Sequence, residues 1–150
     1  MEVYRISAEK YSKKLTSSGS ANRWNKDGEF VIYTGSSRSL SSLELIVHRA
    51  SIKPTINYKV MIIRIDDDDK LYDQLDVNIL PEKWRSVAAY SKLQSIGSEW
   101  YIEQKSLILK VPSAIIPQEY NYIINTKHPE FKEKVKLLEV EDYFWDSRLL

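Results

Sequence analysis

A chain of 150 residues with 43% hydrophobic and 29% charged residues has enough apolar material for one core and the composition of a globular domain, not of a disordered chain. Its formal net charge of +1 at pH 7 gives no broad positive field of the kind that gathers nucleic acid. The absence of cysteine excludes disulfides, thiolate metal sites and cysteine nucleophiles.

The first residues, Met1 to Lys14, hold no apolar signal-peptide core, and Glu2 to Ile6 reads as a short strand. Ser17 to Ser20 is a Ser/Gly loop leading to Arg23-Trp24-Asn25 and the turn pair Asp27-Gly28. Phe30 to Thr34 reads as a buried strand. After the loop Gly35-Ser36-Ser37, Ser39 is the expected N-cap of a helix running to Arg49. At about 100° per residue, Leu40, Leu43, Ile46, Val47 and Ala50 share one face of that helix, with Glu44 and then His48 along its edge.

Tyr58 to Ile65 reads as another buried strand, ended by Asp66 to Asp69. A second helix is expected over Glu82 to Ile96, with Gly97 as its stop. Trp100 to Glu103 and Ser106 to Val111 read as a hairpin, and Tyr120 to Ile124 and Val135 to Val140 as further strands. The longest apolar stretches, such as Met61-Ile62-Ile63, are far shorter than a membrane span. Strands and helices mix without regular βαβ alternation, and no repeat or linker interrupts them. The expectation is one α+β domain over residues 1–150, cytoplasmic and without membrane contact.

Familiar catalytic signatures are absent: no Walker loop, no G-x-G-x-x-G and no H-E-x-x-H. With two histidines, His48 and His128, a histidine-rich metal site is not expected. Asp66 to Asp69 lacks the spaced oxygens, glycine and distal glutamate of a calcium loop, and reads as a solvated turn. Three residues are candidates for chemistry. Arg23, on its loop, can either grip a diphosphate with its forked donors or stack on Trp24. Tyr33, at a strand end, lines a crevice or is a core tyrosine with a satisfied hydroxyl. Glu44, beside an apolar stripe, is either a site carboxylate or a surface residue paired with His48 at i+4. Ser113, after Pro112, has no histidine base and so fits no hydrolase triad.

The order of these blocks resembles the RES domain family. The matching blocks are Ser18-Gly19-Ser20-Ala21-Asn22-Arg23-Trp24-Asn25, Gly28, Val31-Ile32-Tyr33-Thr34, and Ser39-Leu40-Ser41-Ser42-Leu43-Glu44 with His48. Trp84-Arg85, Gly97-Ser98-Glu99-Trp100, Val111-Pro112-Ser113, Glu119 to Tyr122, Asn125, His128-Pro129 and Asp146 to Leu149 follow in the family's order. Two departures are visible: Ala21-Asn22 where a glycine pair is usual, and Asn125-Thr126 where N-P is common.

The resemblance implies an ADP-ribosyltransferase-like fold of curved, mixed sheets with flanking helices. It implies a toxin of a toxin–antitoxin pair that takes NAD⁺ as substrate, without metal, and breaks the nicotinamide–ribose bond by hydrolysis or phosphorolysis; ADP-ribose transfer to a specific protein is the alternative. It implies a helix-turn-helix antitoxin of the Xre-like type as partner, with a homodimer or higher toxin–antitoxin assembly left open and no direct nucleic-acid binding. Carried over, Arg23, Tyr33 and Glu44 are the catalytic residues, and Arg23, Tyr33, Ser113 and Asn121 contact NAD⁺. The chemistry suits such a set. Nicotinamide departs neutral, so no leaving-group acid is needed, and a carboxylate can stabilise the oxocarbenium character left on the ribose.

Overall fold

β-Branched and aromatic residues recur in short runs along the chain, and these runs are where the strands form. In the computed structural model, which describes residues 1–48 and 55–149, the elements are β1 (Glu2–Ala8), β2 (Val31–Gly35), α1 (Arg38–Val47), β3 (Tyr58–Ile65), β4 (Tyr72–Gln74), α2 (Tyr90–Glu103), β5 (Ile108–Pro112), β6 (Tyr120–Asn125), α3 (Phe131–Lys134) and β7 (Val135–Asp142). The strands form one seven-stranded sheet in the order β4-β5-β6-β2-β1-β3-β7. Every pairing is antiparallel except β4 with β5.

The pairing is uneven at the middle of the sheet, and that unevenness makes the site. β1 pairs with β3 from Glu2↔Arg64 to Ala8↔Tyr58, and β2 pairs with β6 from Val31↔Asn125 to Gly35↔Asn121. β1 and β2 themselves meet at Tyr4↔Gly35 alone. The two halves, β4-β5-β6-β2 and β1-β3-β7, therefore join at one point and splay apart beyond it.

Neighbouring residues on the strands feed opposite faces. Ile32, Ile108 and Ile124 enter one core cluster with Val3, Met61, Ile63, Ile65 and Val135. Val31, Leu109 and Ile123 enter a second with Trp24, Leu93 and Trp100, where α2 covers the sheet. Because β2, β5 and β6 are buried on both faces, they read as apolar runs without alternation.

Two helices differ from their sequence expectations. α1 is capped by Ser37, whose side chain accepts from Leu40 N at 3.1 Å, and not by Ser39. Its inward face carries Leu40, Ser41, Glu44 and Leu45, while Leu43 and Val47 are exposed. The rotation follows from Ser41, whose Oγ lies 2.9 Å from both Tyr4 O and Ser37 O, drawing that side onto β1. Gly35 permits the approach: a Cβ there would sit 2.6 Å from Ser41 Oγ. Arg49 and Ala50, expected on this helix, lie outside the described residues.

The second helix starts at Tyr90, eight residues later than expected, and continues through Gly97 to Glu103. Residues 81–89 make successive tight turns instead, and the carbonyls of Trp84 and Arg85 accept from the Arg23 guanidinium, not from a helical N–H. Gly97 is a packing position, because a Cβ there would lie 1.7 Å from Trp24 O. The helix ends at Gln104 in a left-handed conformation, φ 53°, so the expected hairpin over 100–111 is a helix end followed by β5. β4, which the sequence reading leaves as loop, adds a parallel edge to β5.

Candidate functional site

Where β1 and β2 splay apart, a cavity of about 420 Å³ opens, within the range of small-molecule sites. Tyr4, Arg5 and Ile6 of β1 form one side, and Val31, Tyr33 and Thr34 of β2 another. The loop through Ser17, Ser18 and Asn22 closes a third side, and α1 brings Ser41, Glu44, Leu45 and His48.

Glu44 is half-buried on α1, and one of its oxygens is fixed from two sides. Oε1 accepts from Ser113 Oγ at 2.8 Å and from Asn121 Nδ2 at 2.8 Å. Among the described residues no donor is recorded on Oε2 or between Glu44 and His48, so the helix-surface pairing open from sequence is not what the carboxylate does. Ser113 is fully buried and is itself held: its Oγ accepts from Ile115 N at 3.0 Å and Ile116 N at 3.2 Å. Those two donors fix the hydroxyl proton toward Glu44. Among the described residues Asn121 Oδ1 is buried without a hydrogen-bond partner, while other atoms of the residue line the cavity.

Tyr33 lines the cavity, but its hydroxyl is engaged elsewhere. It accepts from Trp24 N at 3.0 Å and donates to Asn25 Oδ1 at 2.6 Å. Burial pushes its pKa well above the ordinary tyrosine range. Asn25, 1% exposed, is the hub of this wall: its Nδ2 donates to Ser20 O, Lys26 O and Glu29 O at 2.9, 3.1 and 3.2 Å.

α2 holds the same loop along one stripe. Gln94 Nε2 donates to Asn22 O at 2.9 Å, Gly97 seats against Trp24, and Ser98 Oγ donates to Glu29 Oε2 at 2.5 Å. Tyr101 OH completes the stripe by accepting from Phe30 N at 3.2 Å. The spacing i, i+3, i+4, i+7 is that of one helix face.

Arg23 is not among the residues lining the cavity. Its Nη1 donates to Trp84 O and Arg85 O, both at 3.2 Å, and its guanidinium lies 4.7 Å from the centre of the Tyr90 ring. It stacks on Tyr90, while Trp24 packs obliquely on Trp84, with centroids 6.3 Å apart. Among the described residues, the arginine that lines the cavity is Arg5, which the sequence reading passes over. Arg5 Nη1 donates to Thr16 O at 3.0 Å, and burial lowers its pKa. Even lowered, a guanidinium stays protonated. Sequence alternation does not single out Arg5, because Tyr4, Ile6 and Ala8 form the more apolar face of the strand; the burial of Val3 and Ser7 on the same side as Arg5 emerges only in the structure.

Among the described residues, the arrangement thus sets a carboxylate with one fixed oxygen, an aromatic wall and one arginine around a single cavity. That is a combination for a ligand with hydroxyl donors and an anionic part. No cluster of three His, Asp or Glu among the described residues is arranged to hold a metal ion. No described helix is long and apolar enough to cross a membrane.

Residues 2–146 match the RES domain family. Across its whole length the chain is 32% identical to Toxin Res of Photorhabdus laumondii subsp. laumondii, covering 97% of that protein. It is 33% identical to the Prs ADP-ribosylating toxin of Sphingobium sp., over 85% of this chain and 80% of that one. Among solved structures it resembles a chain of the M. tuberculosis MbcT–MbcA toxin–antitoxin complex, with a TM-score of 0.76 over 95% of this chain and 83% of that chain. At 16% identity that likeness speaks for the fold, which is the α+β, ADP-ribosyltransferase-like fold expected from sequence. By the match over nearly all of its residues, the chain belongs to the RES domain family.

Proposed function

We propose that this protein is the toxin of a toxin–antitoxin pair, that NAD⁺ is its substrate, and that it cleaves the nicotinamide–ribose bond. The observation that carries the reading is the fixed carboxylate of Glu44, anchored through Oε1 by Ser113 and Asn121. A preorganised negative charge costs no reorganisation when positive charge develops on the ribose. Oε2 faces that charge or holds a ribose hydroxyl. Tyr33 supplies an aromatic wall for the cationic nicotinamide ring.

In this reading the diphosphate goes to Arg5, the cation lining the cavity, through charge-assisted hydrogen bonds. Arg23 supports the wall that the substrate packs on. Ser113 and Asn121 act chiefly on Glu44, with Asn121 also touching the ligand. An antitoxin partner is supported by the toxin–antitoxin complex in which the structural neighbour was solved; in this reading it is of the helix-turn-helix type and covers the cavity mouth.

A second reading, ADP-ribose transfer to one target protein, is favoured by the Sphingobium relative named for that activity. One experiment separates the two. Purified protein is incubated with NAD⁺ labelled in the adenosine half, in buffers with and without phosphate, alone and with cell extract. Free ADP-ribose marks hydrolysis, a phosphorylated ADP-ribose marks phosphorolysis, and label retained on a protein band marks transfer. Intact NAD⁺ in every arm would refute both.

A further inference from the structure

Glu44 is held by Ser113, and Ser113 sits in a loop that has its own external tie. Arg85 Nε donates to Ala114 O at 2.6 Å and Arg85 Nη2 to Ile115 O at 3.5 Å, on the two residues directly after Ser113. The same short segment accepts the Arg23 guanidinium at the carbonyls of Trp84 and Arg85, and the Trp84 ring packs on Trp24. Residues 84 and 85 therefore bridge the two separate parts of the chain that shape the cavity. One is the loop through Asn22 to Asn25; the other is the turn whose Ser113 does not line the cavity but donates to Glu44, which does. Neither Trp84 nor Arg85 lines the cavity.

We propose that Arg85 is a positioning residue that acts on Glu44 through Ser113. The turn after Pro112 is short, and Ser113 Oγ is oriented by the amides of Ile115 and Ile116. Those amides stay in place only while the peptide units of Ala114 and Ile115 keep their orientation, and their carbonyls are the groups Arg85 grips. Release of the guanidinium frees the 114–116 turn to rotate, and the Ser113 hydroxyl then loses the two donors that direct its proton at Glu44. A misplacement of about 1 Å in a catalytic group is enough to cost about 10²-fold in rate. Arg85 is exposed and outside both core clusters, so its removal leaves the fold intact.

This inference rests on the reading of Glu44 as the catalytic carboxylate, and the test keeps the two apart. Arg85→Ala, Arg85→Lys, Ser113→Ala and the double variant Arg85→Ala/Ser113→Ala are compared with wild type in NAD⁺ turnover. Amide hydrogen exchange is measured at Ile115, Ile116 and, as a core reference, Ile123.

The expected result is a fall in kcat of about 10-fold or more for Arg85→Ala with KM nearly unchanged, and partial recovery in Arg85→Lys, which has one head group for two carbonyls. Exchange should quicken at Ile115 and Ile116 but not at Ile123. The double variant should be no slower than Ser113→Ala, since one path is cut at two points. Wild-type kcat in Arg85→Ala, or a double variant slower by the product of both single effects, would overturn the proposal. If the wild-type protein itself leaves NAD⁺ intact, the functional reading fails on its own. Arg85 is then judged by exchange alone: unchanged protection at Ile115 and Ile116 refutes the tie, and selective loss upholds it.

Discussion

Ser113 and Glu44, 69 positions apart in the chain, meet at 2.8 Å with the serine hydroxyl donating to the carboxylate. β5 ends at Pro112 and delivers the serine; α1 delivers the glutamate. Ser113→Ala removes that donor and also leaves the amides of Ile115 and Ile116 without an acceptor. A fully buried unsatisfied donor costs about 1–3 kcal/mol, and these two amides are part-buried, so a smaller drop in Tm should accompany a loss of turnover. Calorimetry and initial rates on the same sample check both.

The two arginines should separate in kinetics. Arg5→Ala removes the cation that lines the cavity, so KM for NAD⁺ should rise roughly 10- to 150-fold, the equivalent of about 1.5–3 kcal/mol for one charge-assisted contact. Arg23→Ala removes two bonds to backbone carbonyls and the contact with Tyr90. It should lower stability and kcat together, with a smaller effect on KM. The reverse pattern, a KM effect confined to Arg23, would put the diphosphate at Arg23.

Gly97→Ala tests the seat of α2 on the Arg23-Trp24-Asn25 loop. A Cβ at 97 would lie 1.7 Å from the carbonyl oxygen and 2.7 Å from the carbonyl carbon of Trp24, so backbone must move. Overpacking of this kind costs about 1–3 kcal/mol or more, which is a fall in Tm of roughly 2–12 °C at this size. Activity should fall further than stability, because Asn22 and Tyr33 depend on the displaced loop. A melt and an activity assay at 20 °C below Tm decide the point.

Tyr33 makes stability pH-dependent at the alkaline end. Burial raises its folded pKa above the unfolded value of about 10, so the folded state holds its proton more tightly. The stabilising contribution is complete below about pH 10 and is lost as pH climbs toward the folded value. Wild type should therefore lose stability above about pH 10 more steeply than Tyr33→Phe. Urea midpoints from pH 8 to 11 give the comparison, and parallel curves would contradict it.

Much of this was legible in the chain, and the rest was hidden for identifiable reasons. The strands at 2–8, 31–35, 58–65 and 120–125 announce themselves through β-branched and aromatic runs. Glu44 stood out as a carboxylate at the edge of an apolar stripe, and the structure joins it to Ser113 and Asn121. The rotation of α1 was hidden because Ser41 bonds to Tyr4, a contact across 37 residues that no periodicity reveals. Gly97 reads as a stop by propensity, and tertiary contact with Trp24 makes it a helix interior. Arg23 and Arg5 exchange places relative to the cavity because both are loop- or strand-borne cations, and which one faces inward is set by the splay of β1 from β2.

In the proposed reaction the charge of Glu44 stabilises the transition state of nicotinamide–ribose cleavage, and Glu44→Gln isolates that charge. The amide keeps an acceptor for Ser113 and Asn121 at nearly the same shape, so the fold and the cavity should survive, with Tm close to wild type. The negative charge is gone, and its benefit belongs mainly to the transition state and less to bound NAD⁺. Nicotinamide release by Glu44→Gln should fall by about 10²–10³ in kcat while binding of NAD⁺ is roughly kept. A folded Glu44→Gln protein that releases nicotinamide at the wild-type rate would remove Glu44 from the reaction.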